Sequence, residues 1–274
     1  MMSAASGLDD LRKTLVARVG GAAPLTEKGD HAEGLGARVL SEALTGSCDG
    51  YLGLPKIGWC SATRLDGPQA SFLHLSAQVA PNYDVPHLTL DITAPANGPL
   101  SLAFDLTARE DVVANKFYVE NFYKQAEPWF EKAKSRCTVV PNTAGLGMRA
   151  LASPVNFNAA CDSLDDAAAI ADELVSLWSN WLQNPTEINR LKRGTAYARD
   201  CSMHKQRWMH YCGVVAGLGE PSPQRAAEIA SALAGPGDEV RNNPSSFCHT
   251  QHLAGLYRRW RRIRRRRLIT LLRS

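Results

Sequence analysis

Ser71 to Asp91 reads SFLHLSAQVAPNYDVPHLTLD, and its two alternating runs decide the fold. In the first run Leu73, Leu75, Ala77 and Val79 share one face, while Phe72, His74, Ser76 and Gln78 share the other. In the second, Leu88, Leu90 and Ile92 oppose His87, Thr89 and Asp91. Side chains alternate with period two along a strand, so each run offers one apolar and one largely polar row. The Pro-Asn-Tyr-Asp-Val-Pro segment between them reads as a connecting loop. Antiparallel pairing about its middle brings His74 roughly opposite Asp91, with Cβ atoms about 4.5–5.5 Å apart. An acid beside an imidazole on a covered sheet face is a candidate proton-handling pair. On a solvated sheet face the same two residues would need no function.

Outward from that stretch, Ile57 to Arg64 reads as a strand and Asp66-Gly67-Pro68 as a turn, and Pro99 to Asp105 adds another strand. Four consecutive strands over Ile57 to Leu106 predict an antiparallel meander. Leu8 to Val19 and His31 to Leu44 carry apolar residues at helical steps, followed by a polar loop over Gly46 to Pro55. Asn115 to Lys134 predicts a long aromatic helix, kinked or divided at Pro128, whose rings serve packing. Pro141 to Phe157 reads as a connection with a further strand near Met148 to Ala152. Ser163 caps a helix with Asp165 and Asp166 in its first turn, ending at Asn184-Pro185. Thr186 to Tyr211 continues as helix, and Ser222-Pro223 opens a last one that ends at Gly235. These elements predict an α+β chain, a three-layer α/β/α sandwich around a central antiparallel sheet.

Composition bounds the function. At 274 residues, 45% hydrophobic and 21% charged, the chain has the make-up of a soluble globular protein. No apolar run approaches the ~18 residues of a membrane span. The net charge of +4 conceals two parts. Residues 241–274 hold ten Arg and no acid, so removing those ten charges leaves −6 on residues 1–240. The expected organisation is one domain over 1–240 and an Arg-rich, disordered tail over 241–274. The tail interleaves Tyr257 and Trp260 with Arg, a pattern suited to nucleic acid or an anionic membrane surface. It shares no character with the body, and reads instead as a non-homologous end. Seven Cys at irregular spacing point to free thiols in a reducing compartment. Acids at Asp9 and Asp10 come too early for a typical transit peptide.

The order His74, then Pro-Asn-Tyr-Asp-Val-Pro, then Asp91 seventeen residues on, resembles the ferredoxin-dependent bilin reductases. The following PLSLAFD strand (Pro99 to Asp105) and Leu106 resemble that family's next apolar strand, which ends in Asp-Leu. Together these cover about a quarter of the chain. The resemblance implies a pigment lying between the sheet and the C-terminal helices. It implies reduction of a linear tetrapyrrole, biliverdin above all, by single electrons from ferredoxin, with no bound cofactor because the bilin accepts the electrons. It also implies that Asp91 is the acid and His74 its proton partner. Such an acid must titrate well above a free Asp's ~3.9, which burial beside an apolar pigment produces. Ala196-Tyr197-Ala198-Arg199-Asp200-Cys201 resembles the family's C-terminal acid position, making Asp200 a further candidate.

There are departures. The phycocyanobilin-forming branch has a Glu twelve residues before the His, where this chain has Ala62 flanked by Ser61 and Thr63. A single two-electron reduction or a different regiochemistry is then expected. Ala80-Pro81-Asn82 is similar to red chlorophyll catabolite reductase, an alternative that His74 disfavours; a tetrapyrrole-binding protein without turnover is another. Arg64, Arg149, Lys192 and Arg193 are the cations available to propionates. Acidic ferredoxin calls for a basic patch, and ferredoxin and bilins meet in a chloroplast stroma or a cyanobacterial-type cytoplasm. Cys201, His204, His210 and Cys212 do not all fall on one side of a helix, which argues against zinc.

Overall fold

The computed structural model describes residues 4–27, 41–112, 116–189 and 192–235. The chain divides into Met1–Gly235 and Pro236–Ser274, and the second unit, with the whole Arg-rich tail, lies outside the described residues. The strands are β1 (Thr26–Glu27), β2 (Thr45–Gly53), β3 (Ile57–Asp66), β4 (Ala70–Val79), β5 (His87–Pro95), β6 (Leu100–Thr107), β7 (Thr138–Val139) and β8 (Phe157–Cys161). They pair antiparallel as one sheet in the order β1-β2-β3-β4-β5-β6-β8-β7. The helices are α1 (Ala4–Ala22), α2 (Lys116–Tyr118), α3 (Lys124–Arg136), α4 (Leu146–Leu151), α5 (Leu164–Gln183), α6 (Arg193–Gly217) and α7 (Pro223–Ala234).

The alternation along β4 and β5 sets the layers. Leu73, Leu75, Leu88, Leu90 and Ile92 join Leu102, Phe104 and Leu106 on one face and bury against Leu8, Leu11 and Leu15 of α1 and Ile170, Leu174 and Trp178 of α5. Each such side chain stabilises the fold by about 1.5–3 kcal/mol. The other face carries the polar row and is covered by α6 and α7 through side-chain contacts described below. This is the expected α/β/α sandwich. Ser163 Oγ accepts from the Asp166 N–H at 3.1 Å, and Ser222 Oγ accepts from the Arg225 N–H at 3.3 Å, so both predicted caps form. Gly235 ends α7 at φ 80°, where any Cβ would also meet the Trp59 ring at 2.5 Å.

Several expectations are corrected. Thr45–Gly53 is strand rather than loop, because its ladder with β3 overrides the poor strand propensity of Gly and Asp. Gly50 is needed there, since a Cβ would lie 2.4 Å from the Trp59 ring. Met148 to Ala152 falls mostly in α4, and the additional strands are β7 and β8, the latter buried at every second residue. The aromatic helix divides at a π-turn over Val119–Tyr123, one turn before Pro128, whose missing N–H cannot serve Lys124. Thr186 to Ile188 is extended and pairs with the Asn82–Asp84 loop, so α6 starts only at Arg193. Most of the helix expected over His31 to Leu44 lies outside the described residues, and Ser41 to Leu44 is a turn closed on Ser41 Oγ.

Cys137 and Cys161 form a disulfide with a Cα–Cα separation of 4.7 Å, against the expectation of free thiols throughout. The sheet explains it: Thr138 pairs with Ala160, which puts the preceding Cys137 beside Cys161. Burial pushes the Cys48 and Cys60 thiols up to about 12, which suppresses the reactive thiolate. Alkylation of the native protein, read by peptide mass spectrometry, is therefore expected to label the half-buried Cys201 and Cys212 and spare Cys48 and Cys60 until unfolding. Native-state labelling of Cys48 would contradict this packing.

Candidate active site

The register places His74 opposite Asp91, as the alternation predicts. Nδ1 of His74 and Oδ1 of Asp91 lie 2.7 Å apart, and His74 is fully buried while 15% of the Asp91 side chain stays exposed. His74 Nε2 lies 3.1 Å from the Leu233 carbonyl of α7. That geometry sets a proton inventory. A carbonyl only accepts, so Nε2 carries a hydrogen. The contact between Nδ1 and Asp91 then needs one more proton, held either as imidazolium against carboxylate or as neutral imidazole against carboxylic acid. The pair thus has the geometry to share one proton at the centre of the sheet.

Tyr211 of α6 closes over this pair. Its hydroxyl lies 3.4 Å from Asp91 Oδ2, and its ring meets the His74 ring edge-on at 4.8 Å between centroids. Across the strands, Thr63 lies opposite His74 and Ser61 opposite Ser76, whereas Ala62 belongs to the apolar core. The position beside His74 on the preceding strand is thus Thr63, not Ala62, and it too lacks a carboxylate. The next row holds Ser76 and Thr89, whose buried hydroxyls have no hydrogen-bond partner among the described residues. Thr89 in turn faces Asp105 of β6. Burial raises the Asp105 pKa, while Ser153 N–H and Oγ donate to one oxygen at 3.0 and 2.5 Å and Thr107 Oγ1 donates to the other at 3.1 Å.

Asp200 reaches the same face at a separate point. His87 Nδ1 accepts from the Val79 N–H at 2.9 Å, so Nε2 carries the ring hydrogen and donates to Asp200 Oδ1 at 2.9 Å. Arg109 Nη2 donates to Asp200 Oδ2 at 2.6 Å, and its Nη1 donates to the carbonyls of Ala80 and Tyr83 at 2.8 and 2.7 Å. Burial alone would raise the Asp200 pKa, but Arg109 and His87 outweigh it and hold the carboxyl well below the usual range. Through Arg109 and His87, the Asp200 carboxyl ties α6 to the 80–83 segment and to the start of β5.

His87 and Arg109 were not singled out from sequence, because their partners lie 113 and 91 residues away. Among the cations considered for propionates, Arg64 pairs with Asp66, Lys192 with Glu110 and Arg193 with Glu187. Among the described residues, no group of three or more His, Cys, Asp or Glu side chains converges as metal ligands would. No helix among them is long and apolar enough to cross a membrane.

Burial pushes the His87 pKa down from 6.5 to about 4, so this site favours the neutral ring. The unfolded chain then binds more protons between those values, and stability falls as pH drops from about 6.5 toward 4, by on the order of 3 kcal/mol. Urea unfolding across that range should show the loss in the wild type and a flatter profile in His87→Gln. Equal slopes in both proteins would contradict the assignment.

No family model matches the chain, and no curated protein matches it either. Among solved structures it is similar to the selenomethionine form of phytochromobilin synthase from tomato in complex with biliverdin. The TM-score is 0.64 at 12% identity, over 86% of this chain and 88% of that one. The described domain thus has the fold of that enzyme.

Proposed function

We propose that the chain is a bilin reductase. It takes a linear tetrapyrrole of the biliverdin type against the polar sheet face, under α6 and α7, and reduces it to a phytobilin. The observation that supports this most is the close contact of His74 with Asp91 and with the Leu233 carbonyl, on the face where a pigment between the sheet and the C-terminal helices would touch Asp91. The fold shared with phytochromobilin synthase supports the same reading.

The overall reaction consumes two electrons and two protons per bilin double bond reduced. Electrons arrive one at a time from two reduced ferredoxins, and the bilin itself holds the unpaired electron between deliveries. Asp91 delivers the first proton, with His74 holding it in place and replenishing it. A protonated bilin accepts an electron more readily than a neutral one, so proton delivery precedes or accompanies reduction. No bound cofactor is required, and the site of action is a chloroplast stroma or a cyanobacterial-type cytoplasm. Asp200 serves by positioning α6.

A second reading, tetrapyrrole binding without turnover, is favoured by one feature: both Asp91 oxygens already face protein partners, His74 and Tyr211. An anaerobic absorbance time course with biliverdin, reduced ferredoxin and the full chain separates the two. The reductase account expects loss of the biliverdin bands and growth of a shifted product. It also expects Asp91→Asn to bind pigment yet turn over at least a hundredfold more slowly. Binding by the wild type without any conversion would overturn biliverdin reduction and leave the binding role.

A further inference from the structure

Arg207 lies on the inward stripe of α6, one turn before Tyr211, and is 4% exposed. A guanidinium offers five donors. Arg207 makes a single hydrogen bond, a long one of 3.4 Å from Nη2 to Thr107 Oγ1, and no ion pair among the described residues. A buried charge of this kind is costly unless paired. Arg109 shows the contrast: it is equally deep, yet bonded to Asp200 and two carbonyls. Asp105, the acid beyond Thr107, is turned toward Ser153 and Thr107 and does not pair with Arg207.

The surroundings of Arg207 are rich in donors. Thr107 stands opposite His87, and Thr89 stands opposite Asp105, so these residues occupy adjacent positions on one face of β5 and β6. The Thr89 hydroxyl and the Ser76 hydroxyl across from it are both buried and unpartnered. A permanent cation on Thr107, one row along the same sheet face from two hydroxyls that have no partner among the described residues, matches one chemical class: a carboxylate, which accepts from a guanidinium fork and from hydroxyls.

We propose that Arg207, with Ser76 and Thr89, forms a carboxylate-binding site within the layer between the sheet and α6. The site names the part of the substrate that this layer holds, and in that respect rests on the bilin reading: the carboxylate is a propionate of the tetrapyrrole. Of the other candidate cations, Arg64, Lys192 and Arg193 are already paired and Arg149 is exposed, whereas Arg207 is internal. The buried cation lowers the stability of the ligand-free protein and gains its partner on binding.

Two measurements on the full chain test this. The first compares thermal melting of the ligand-free wild type with Arg207→Met, a substitution of similar length that removes the charge. The variant is expected to melt higher. The second titrates both proteins with biliverdin and with its dimethyl ester by absorbance. Wild type should bind the diacid about ten to a hundredfold more tightly than Arg207→Met does, while the ester binds both alike. A variant that melts lower and binds biliverdin as the wild type does would make Arg207 a packing strut and overturn the proposal. Failure of the wild type to bind either pigment would instead count against the bilin reading. Melting with succinate then decides the site itself: a rise in the wild type absent from Arg207→Met supports it, and no difference overturns it.

Discussion

A sheet buried on both sides, with one face polar, is the constraint on which the rest of this structure depends. Leu73, Leu75, Leu88 and Leu90 need only apolar cover, which α1 and α5 provide without specificity. His74, Ser76, His87, Thr89, Asp91 and Asp105 need partners, because a buried polar group left unpaired costs about 1–3 kcal/mol. The covering helices supply them unevenly. α7 contributes backbone carbonyls, Leu233 to His74, Ala232 to Ser61 and Ala234 to Gln78. α6 contributes long side chains, Asp200, Arg207 and Tyr211, which reach the sheet from a helix that stands over it.

That unevenness divides the face into regions with different chemistry. At one end His87 and both terminal nitrogens of Arg109 are engaged, leaving only Arg109 Nε without a partner among the described residues, and the network fastens α6 to the loop before β5. In the middle, hydroxyls and Arg207 keep unused hydrogen-bonding capacity. Beside them, His74 lies between the Asp91 carboxyl and the Leu233 carbonyl, with a ring nitrogen on each. A well-satisfied network rigidifies, while buried groups left unpaired carry a cost that a suitable ligand would relieve. Two acids on one face, Asp91 and Asp200, thus sit among different partners.

What could be read from the sequence followed from local periodicity. The four strands from β3 to β6, the pairing of His74 with Asp91 and the caps at Ser163 and Ser222 all rest on residues near one another in the chain. What could not be read depended on distant contacts. β2 is strand only because β3 pairs with it, and the disulfide follows from the alignment of β7 with β8. Asp200 is legible as an acid, but its partners His87 and Arg109 come from other elements, and sequence alone does not place them beside it. Arg207 and Tyr211 carried a usable signal: they share a helical stripe with Ala196 and Met203, so a charge sits on the buried face of α6. The stripe was legible; what it faced was not.

The central claim is that the proton shared by His74 and Asp91 lies against a bilin held between the polar sheet face and α6. A neutron structure of the biliverdin complex tests it most directly, because it locates pigment and hydrogen together. The account predicts the pigment in that layer with a ring nitrogen or lactam oxygen in hydrogen-bond contact with Asp91, and hydrogen on His74 Nε2. A pigment bound elsewhere, or a His74 lacking hydrogen on Nε2, would contradict it.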